Sequence, residues 1–453
     1  MKIKHDITII GGGLAGCEAA LQLAKFGLSV KLVEMRPSVS TGAHQTGDLA
    51  ELVCSNSLGS NLQNRASGVL KNELRRMGSF LLRIADESSV PAGRALAVDR
   101  NLFSTRVTNI IESSDRIDLI RAEIKDFPKS PAIIATGPLT SNAFAASITE
   151  KLGKDNLFFY DAISPIVEID TIDMDIAFRG SRYQKEYLEP GDYINIPFSQ
   201  DQYHKFVGLL KTGKRNPPEV FEKDIDIGVK AGTAKYFEGC LPVETTAQRG
   251  DEALAFGPMK PVGFIDPHTQ KRPYAIIQLR QDNIAGDLFN MVGFQTNLTF
   301  SEQLRIFRTI PGFANAKFIR FGQMHRNTYI SSPTCLNPTL EFRAESGIFF
   351  AGQITGIEGY IGNIGTGLLA GWNAFQRIKG KTLFELPSTI MLGALCNYIS
   401  RAELDVFQPM KANFGLFPRF HGAKKISKQE RYTKYAERSK RDLNLLLKEN
   451  IIP

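Results

Sequence analysis

The chain has 453 residues, of which 43% are hydrophobic and 23% are charged, a balance typical of globular proteins large enough for two or three packed units. Its formal net charge is +8, and no apolar run approaches the roughly 20 residues that a membrane-spanning helix requires. The N-terminus leaves no room for a signal peptide, and five cysteines without paired spacing argue against disulfides, so we expect a cytosolic protein with neither a membrane nor a disulfide partner.

A βαβ unit is predicted at the start of the chain. Residues 5–10 are rich in strand-forming side chains, and residues 14–26 carry apolar side chains at helical spacing. Residues 29–34 then have the composition of a second strand. Units of this kind build parallel sheets, so the first third of the chain is predicted to be α/β.

The turn between the first strand and the first helix contains the pattern G-x-G-x-x-G, formed by Gly11, Gly13 and Gly16. The first glycine permits a tight turn, the second lets the backbone approach a pyrophosphate, and the third allows close helix packing. Glu34 ends the second strand, where a carboxylate can accept ribose hydroxyls, and Arg36 is a further candidate contact. In this context the motif predicts a dinucleotide site.

Three further elements are predicted from apolar patterning. Residues 68–88 have the spacing of one amphipathic helix, and residues 131–137 (PAIIATG) resemble a buried strand. A similar buried strand at residues 348–352 (IFFAG) precedes a glycine-rich turn and a helix. These strands are the expected continuation of the parallel sheet.

The middle of the chain differs from both ends in its pattern of apolar, Pro and Gly residues. From residue 156 to residue 325, short apolar segments are separated by Pro and Gly, which predicts a smaller inserted α+β domain. The Rossmann-type FAD-binding domain is therefore predicted to be discontinuous. Its first part would be residues 1–155 and its closing part residues 326–453.

Two distant segments favour FAD over NAD as the dinucleotide. One strand ends in Ala-Thr-Gly at Gly137, and the other leads into a glycine-rich helix entry at residues 352–371. No second G-x-G-x-x-G follows a strand, so a dedicated nicotinamide domain is not expected. The candidate cofactor residues in the late segment are Gly352, Glu358, Gly365 and Thr366.

The C-terminal segment is strongly basic. Residues 424–448 hold nine cations against three acidic residues, and Lys424, Lys428, Arg431 and Arg438 fall at helical spacing. A basic helix face attracts phosphate backbones through counterion release. A solvated surface helix would have the same composition, so charge alone permits an RNA partner without establishing one.

The cysteines divide by context. Flavin disulfide reductases need two cysteines close in sequence, and Cys54 has no such neighbour. Cys17, Cys335 and Cys396 are expected to be buried packing residues. Cys54 and Cys240 lie among polar and turn residues typical of accessible loops, so each is a candidate thiolate nucleophile or a structural residue.

Several long segments together resemble the folate- and FAD-dependent tRNA (uracil-5-)-methyltransferases. These segments, which extend over nearly the whole chain, are IIGGGLAGCEAALQLAKFGLSVKLVEMRP, AELVCSNSL, LKNELRRMGS, VPAGRALAVDR, FEGCLPVE, FGPMKPVGF, YAIIQLRQDN, MVGFQTNLTFSEQLRIFRTIPG, MHRNTYISSP and FQPMKANFGLFP. The resemblance implies transfer of a methylene group from 5,10-methylenetetrahydrofolate to C5 of a T-loop uridine in tRNA. Reduced FAD would supply the hydride, and NADPH or NADH would regenerate it.

The resemblance also implies roles for two cysteines. The family's essential pair matches Cys54 in CSNSL and Cys240 in GCLPVE. A thiolate must add to C6 of uracil to make C5 nucleophilic, and a second group must remove the C5 proton. We assign these roles jointly to the two cysteines and expect Cys240 to be the attacking thiolate.

Other matched positions have more than one interpretation. Candidates for RNA, folate or nucleotide contacts, or alternatively for internal ion pairs and hydrogen bonds, are Lys211, Lys214, Arg215, His325, Arg326, Arg94 and Asp99. Tyr360 belongs with Glu358 to the late flavin loop. After this tyrosine the family continues with a Val-Glu-Ser-Ala-Ala type segment, whereas this chain has IGNIGTGL, so altered contacts near the flavin are expected.

Three alternatives remain open at this point. The same chemistry could act on a ribosomal RNA uridine. The flavoproteins that modify wobble uridine are related, but they are longer and carry an extra C-terminal helical domain. A non-catalytic RNA-binding flavoprotein is the third, against which the presence of both Cys54 and Cys240 argues.

Overall fold

A computed structural model describes most of the chain. The described residues are 5–39, 41, 43–153, 157–162, 164–180, 192–216, 241–322, 324–404, 407–420, 426–449 and 452, with backbone alone for 157–162 and 324–326. The strands are β1 Ile7–Ile10, β2 Val30–Glu34, β3 Ser57–Ser60, β4 Ser89–Val90, β5 Ala95–Val98, β6 Ile117–Arg121, β7 Ala132–Ile134, β8 Leu157–Ala162, β9 Ile166–Glu168, β10 Phe178–Arg179, β11 Tyr193–Phe198, β12 Ala275–Gln281, β13 Leu288–Met291, β14 Phe318–Arg320, β15 Met324–Tyr329 and β16 Ile348–Phe350. The helices are α1 Leu14–Lys25, α2 Ala66–Arg76, α3 Phe80–Glu87, α4 Arg100–Glu112, α5 Asn142–Leu152, α6 Gln200–Thr212, α7 Val243–Gln248, α8 Ala253–Phe256, α9 Phe300–Phe307, α10 Ser332–Cys335, α11 Tyr360–Ile378, α12 Met391–Arg401 and α13 Lys428–Lys448.

A five-stranded parallel sheet contains both ends of the predicted dinucleotide fold. Its order is β16-β7-β1-β2-β6, and every neighbouring pair is parallel. The predicted βαβ unit and the two later buried strands are therefore confirmed, as is the Rossmann-type α/β fold. The carboxyl ends of β1, β2, β7 and β16 share one edge, where ligands bind in sheets of this kind.

Two helices pack against each other at unusually short range to frame that edge. A Cβ added at Gly367 in α11 would lie 2.2 Å from the carbonyl oxygen of Ala15 in α1. One at Gly371 would lie 3.2 Å from the backbone of Ala19. Because these positions lack side chains, α1 and α11 touch through their backbones. Their N-termini consequently lie side by side at the edge of the sheet.

The predicted single helix over residues 68–88 is wrong. The segment forms two helices, α2 and α3, separated at Gly78 and Ser79. Gly78 has a φ of +74°, which a helix cannot accommodate, and the Ser79 hydroxyl accepts a hydrogen bond from the N–H of Leu82 at 3.2 Å as the cap of α3. The continuous amphipathic spacing concealed this break.

A second sheet is antiparallel and has the order β10-β11-β12-β13-β9-β14. It lies within the region predicted as an inserted domain. The chain approaches and leaves it through β8 and β15, which pair antiparallel with each other. The exact division at residues 155 and 325 remains a prediction. Among the described residues, no helix is long and apolar enough to cross a membrane.

Glu73 of α2 connects the start of α12 to the C-terminal helix. Its carboxylate accepts hydrogen bonds from the N–H groups of Met391, at 2.7 Å, and Leu392, at 3.1 Å, and from the hydroxyl of Ser439 in α13. Burial raises the pKa of Glu73 to about 7, although these three donors act in the opposite direction. The basic helix is therefore attached to the core through a titratable group.

We expect Glu73 to make stability depend on pH. The folded protein retains the Glu73 proton where the unfolded chain has released it, so the free energy of unfolding should fall as pH rises from 4.5, the ordinary pKa, to about 7. The loss should reach about 3 kcal/mol at most. Urea denaturation at about pH 5 and about pH 8 should show a smaller decrease for Glu73→Gln than for the wild type.

The matched control is Glu87→Gln, which changes an acidic residue on the neighbouring helix whose side chain is 55% exposed. This variant should follow the wild-type pH profile. An unchanged profile in Glu73→Gln would contradict the assignment.

Candidate active site

The glycine turn between β1 and α1 has the geometry that its sequence predicts. Gly11 has a φ of +104°, and a Cβ there would lie 2.5 Å from the carbonyl oxygen of Ala135. A Cβ at Gly16 would lie 1.9 Å from the carbonyl oxygen of Gly11, so the helix can approach the turn only without a side chain. A Cβ at Gly13 would meet nothing within 4 Å, because this residue faces an open cleft.

Glu34 is fixed at the end of β2 by its neighbours. Its carboxylate accepts hydrogen bonds from the N–H of Gly12 at 2.7 Å and from the Nε of Arg36 at 2.8 Å. Burial alone would raise the pKa of Glu34, but the charge and hydrogen bonds of Arg36 and the N–H of Gly12 together hold it below its ordinary value. The group is therefore an ionised acceptor at neutral pH, oriented towards the cleft.

The cleft has an empty volume of about 930 Å³ and lies between the N-termini of α1 and α11. The sequence-predicted cofactor residues that line it are Gly11, Gly13, Glu34, Arg36, Gly137 and Gly352. Tyr360 also contributes to the lining. The structure thus brings together residues from both ends of the chain.

Four other predicted cofactor residues lie outside the lining. Gly16 and Gly365 are packing positions, since a Cβ at Gly365 would lie 2.9 Å from the side chain of Leu392. Thr366 accepts a hydrogen bond from the N–H of Gly352 at 2.8 Å and so stabilises the turn that follows β16. Glu358 accepts a hydrogen bond from the side-chain amide of Gln353 at 2.8 Å. Direct cofactor contact by these four remains a prediction.

The cleft fits a flavin dinucleotide. Gly13 and Gly137 leave space where a side chain would protrude, and two helix N-termini offer N–H groups to phosphates. Asn363, the fourth residue of α11, is 7% exposed and lines the cleft, yet its side-chain oxygen has no hydrogen-bond partner within the described part of the chain. A buried amide of this kind requires a polar partner, which a flavin can supply.

Cys54 lies on a loop that is attached to this cleft. The N–H groups of Cys54 and Ser55 donate hydrogen bonds to the phenolic oxygen of Tyr360, at 2.9 Å and 3.0 Å. Burial raises the pKa of Tyr360, and the negative charge of Cys54 adds to the effect. The phenol therefore keeps its proton, and it holds the Cys54 backbone beside the mouth of the cofactor cleft.

A buried ion pair clamps the same loop from the other side. Arg100 contacts Asp282 through Nε at 3.0 Å and donates from Nη1 to the carbonyl oxygen of Leu52 at 2.7 Å. Burial alone would lower the pKa of Arg100, but Asp282, together with Tyr360 and Cys54, raises it above its ordinary value. The loop that bears Cys54 is thus tied to both α4 and the chain immediately after β12.

Arg280 adds a second guanidinium at the loop. It donates from Nε to the side-chain oxygen of Asn56 at 2.9 Å and from Nη2 to the hydroxyl of Ser55 at 2.7 Å. The side-chain amide of Asn56 in turn donates to the carbonyl oxygen of Gln281 at 2.8 Å. Two buried cations near Cys54 stabilise a thiolate over a thiol, which is the condition that nucleophilic or basic cysteine requires.

The remaining cysteines are distributed as follows. Cys17, Cys335 and Cys396 are buried, and burial raises the pKa values of Cys335 and Cys396 to about 12, so these are packing residues as predicted. The described residues contain no disulfide. Cys240 lies outside the described residues, so the structure gives no distance between Cys240 and Cys54.

The other polar candidates differ in their surroundings. Asp99 caps α4 by accepting the N–H of Leu102 at 2.9 Å, and it also accepts the N–H of Ile284, whereas Arg94 is exposed. Lys211 pairs with Asp251. The side chains of His325 and Arg326 lie outside the described residues. Among the described residues, no group of His, Cys, Asp and Glu could hold a metal ion.

The Cys54 clamp, which consists of Arg100, Arg280 and Asp282, was not predicted from the sequence. Arg100, Arg280 and Asp282 are buried although they carry charge. The available signal was the charged pattern RQD at the end of an apolar strand, because charged residues are seldom buried without a partner. Their partners lie far away in sequence, so periodicity could not have identified them.

A family model and individual proteins of known name both match this chain over most of its length. The family model described as "Glucose inhibited division protein A" (GIDA) matches residues 6–382. A protein of Exiguobacterium sp. named methylenetetrahydrofolate–tRNA-(uracil-5-)-methyltransferase is 49% identical over 96% of this chain and 98% of its own length. A protein of the same name from Carboxydothermus hydrogenoformans is 49% identical over 98% of this chain and 99% of its own.

Solved structures give the same fold. Aquifex aeolicus GidA in its form II crystal superimposes with a TM-score of 0.67 at 17% identity, over 98% of this chain and 76% of that chain. The form I crystal gives a TM-score of 0.65, also at 17% identity, over 97% of this chain and 76% of that chain. At this identity the likeness concerns the fold alone.

Proposed function

The chain belongs to the GIDA family and, within it, to the methylenetetrahydrofolate–tRNA-(uracil-5-)-methyltransferases, and from this premise we propose how its residues divide the reaction. The enzyme uses 5,10-methylenetetrahydrofolate and FAD to methylate C5 of uracil in tRNA. We propose that the target is a uridine of the T loop. The attachment of the Cys54 loop to the cofactor cleft through Tyr360 supports a reaction in which the Cys54 thiol and the flavin act on the same base.

Bound FAD in its reduced form supplies the hydride that completes the methyl group. We propose that Gly13 and Gly137 give its phosphates access to the backbone, and that Glu34 accepts its ribose hydroxyls. Asn363 would donate or accept a hydrogen bond through its buried amide. This asparagine stands where the related enzymes have the serine of the Val-Glu-Ser-Ala-Ala segment, so the departure would exchange one polar contact for another.

Two cysteines carry the chemistry on uracil. We propose that the Cys240 thiolate adds to C6, which places the electron pair on C5, and that Cys54 later removes the C5 proton. C5 bonds to the methylene carbon, and loss of the C5 proton then breaks the bond between that carbon and the folate nitrogen. Addition of the hydride to the same carbon completes the methyl group, returns the C6–S electron pair to Cys240 and restores the C5=C6 double bond. Arg100 and Arg280 favour the Cys54 thiolate that can accept the proton.

Tyr360 acts as a positioning residue. By accepting two N–H groups of the Cys54 loop, it fixes the thiol relative to the cleft that its own ring lines. The phenolic hydrogen remains available for donation. The two hydrogen bonds thus hold the Cys54 thiolate close to the uracil ring that occupies the cleft during the reaction.

The basic C-terminal helix is the proposed backbone contact for tRNA. Arg438 is held against Phe417 and donates to the carbonyl oxygen of Pro418 at 2.8 Å, so its role is partly structural. Lys428 and Arg431 lie over Tyr432 at the exposed start of the helix. Lys214 and Arg215 would extend the positive surface towards the second sheet.

We also propose a reductant for the flavin and a cellular compartment for the enzyme. A reduced nicotinamide cofactor, NADPH or NADH, would regenerate the flavin from solution without a domain of its own. Because the chemistry needs two thiols and a tRNA substrate, we propose that the protein acts in the cytoplasm, where thiols stay reduced.

The decisive experiment is a methyl-transfer assay with purified protein, labelled methylenetetrahydrofolate, a reduced nicotinamide cofactor and separate tRNA and ribosomal RNA transcripts. We expect label in the T-loop uridine of tRNA, together with a flavin absorption spectrum that changes on reduction. Label confined to ribosomal RNA would reassign the substrate. A flavin-loaded protein that binds RNA and transfers no label would favour the non-catalytic alternative.

A further inference from the structure

Three phenylalanines form a short stack on the second sheet. The rings of Phe300 and Phe321 have centroids 5.2 Å apart and planes inclined by 23°, and those of Phe318 and Phe321 are 5.6 Å apart and inclined by 20°. Phe300, at the end of the stack, is 52% exposed. We call this set the aromatic ladder. The Phe300 ring packs on Phe321 on one side and leaves about half of the residue exposed to solvent.

The ladder is held in place by a buried glutamine. The side-chain amide of Gln303 in α9 donates to the carbonyl oxygens of Leu298, at 2.7 Å, and Gly322, at 2.8 Å. Its side-chain oxygen accepts the N–H of Gly322 at 2.7 Å. Gln303 thereby fixes the residue after Phe321 to the start of the helix that carries Phe300. The stacking surface exists before any ligand arrives, which lowers the entropy cost of binding.

Positive charge borders the ladder. Lys214 and Arg215 lie beside the two residues that precede Phe300. The N–H of Thr299 donates a hydrogen bond to the carbonyl oxygen of Lys214 at 3.0 Å, and Arg215 forms an antiparallel bridge with Leu298. One terminal nitrogen of Arg215 is buried and has no hydrogen-bond partner among the residues that the structure describes. Glu302 accepts the N–H of Lys214 at 3.2 Å and is paired with Arg305 at 2.6 Å, and Glu244 interacts electrostatically with Arg215. The Lys214 side chain is exposed, so it is the cation on this flank that is best placed to reach a phosphate.

The other end of the ladder leads towards the cofactor cleft. Arg320, which precedes Phe321, donates from Nη2 to the carbonyl oxygen of Ala43 at 2.9 Å. Burial lowers the pKa of Arg320, and the positive charge of Arg100 lowers it further. Arg320 thus shares the electrostatic environment of the Cys54 clamp. The aromatic ladder is therefore linked through Arg320 to the surroundings of the active site.

We propose that Phe300 of the aromatic ladder stacks an unpaired base of the substrate RNA that neighbours the target uridine. The inference rests on the proposed function, since it names how that RNA is held. Removing the target uridine from its stack leaves adjacent bases without a neighbour, and an exposed phenyl ring replaces that neighbour. Lys214 and Arg215 contact the phosphates of the same nucleotides, so stacking and charge act on one strand.

The test uses the full FAD-loaded chain and a short T-arm hairpin RNA with 2-aminopurine next to the target uridine. For the wild type we expect saturable binding with fluorescence quenching as the base stacks. Phe300→Ala should bind about tenfold more weakly and lose most of the quenching, whereas Phe300→Trp should retain both. In methyl-transfer assays Phe300→Ala should raise KM for RNA more than it lowers kcat. Phe256→Ala, which removes a phenylalanine that is 78% exposed on α8, is the matched control and should behave as the wild type.

Three results would overturn the proposal. The first is RNA affinity and quenching in Phe300→Ala equal to the wild type. The second is a loss of methylenetetrahydrofolate binding in that variant with RNA binding unchanged, which would make the ladder a folate contact. The third is a change of oligomeric state in analytical ultracentrifugation, which would make it an interface between copies. Wild-type protein that quenches the probe but transfers no methyl group would refute the proposed function while leaving the stacking intact.

Discussion

Replacing Cys54 with alanine should reduce methyl transfer to tRNA by about a thousandfold or more, because the C5 proton then has no acceptor at the correct position. FAD binding and RNA affinity should change little, since the backbone N–H groups that bind Tyr360 are retained. Cys240→Ala should cause a comparable loss. The measurement is single-turnover transfer of labelled methylene to a tRNA transcript, with the flavin content of each variant determined by absorbance.

A thiol remote from the cleft provides the control for this prediction. Cys335 is buried beside α12, and its thiol donates to the carbonyl oxygen of Ser331 at 3.4 Å. Cys335→Ser should keep nearly full activity. Retention of wild-type transfer by Cys54→Ala would remove Cys54 from the mechanism. For Cys240→Ala, loss of methyl transfer would support a catalytic role for Cys240, and a wild-type rate would exclude that role.

Replacing Asp282 with alanine should destabilise the protein by about 3–5 kcal/mol, because it leaves the Arg100 charge buried and without its carboxylate. The guanidinium would also cease to hold the carbonyl oxygen of Leu52 in its present geometry. The double variant Arg100→Met with Asp282→Leu should recover a large part of the stability, since it removes both charges together. Urea denaturation of the FAD-loaded protein provides the measurement.

An exposed ion pair of the same kind serves as the comparison. Arg75 and Asp86 are 2.7 Å apart, but their side chains are 33% and 38% exposed. Asp86→Ala should therefore cost less than about 1 kcal/mol. A cost for Asp282→Ala as small as that of Asp86→Ala would show that the Arg100 pair does not support the Cys54 loop. Loss of activity in the double variant with stability restored would separate the clamp's electrostatic role from its structural one.

Local patterns in the sequence predicted the parts of the fold that depend on neighbouring residues. The glycine turn, β1, α1 and β2 follow from spacing and turn chemistry within the first thirty-four residues, and the structure reproduces them. The buried strands before Gly137 and Gly352 are short apolar runs that end at the same sheet edge. Each of these elements carries its own signal, so one sequence was sufficient.

Contacts between distant residues could not be predicted in the same way. The Cys54 loop depends on Tyr360, Arg280 and Asp282, none of which is near it in sequence. The break at Gly78 was missed for a different reason, because the hydrophobic face continues across it while the backbone changes direction. Periodicity records which face is buried but not where the chain turns or which side chain a polar group will meet.

The close packing of α1 against α11 has a consequence for biosynthesis. The glycine turn is translated before Gly352 and Asn363, which lie on the opposite wall of the cleft and more than 300 residues further along the chain. The nascent protein therefore cannot capture FAD as its first helix folds. Cofactor loading must await the closing segment, and any chain truncated before α11 is released as an apoprotein that still displays its glycine turn.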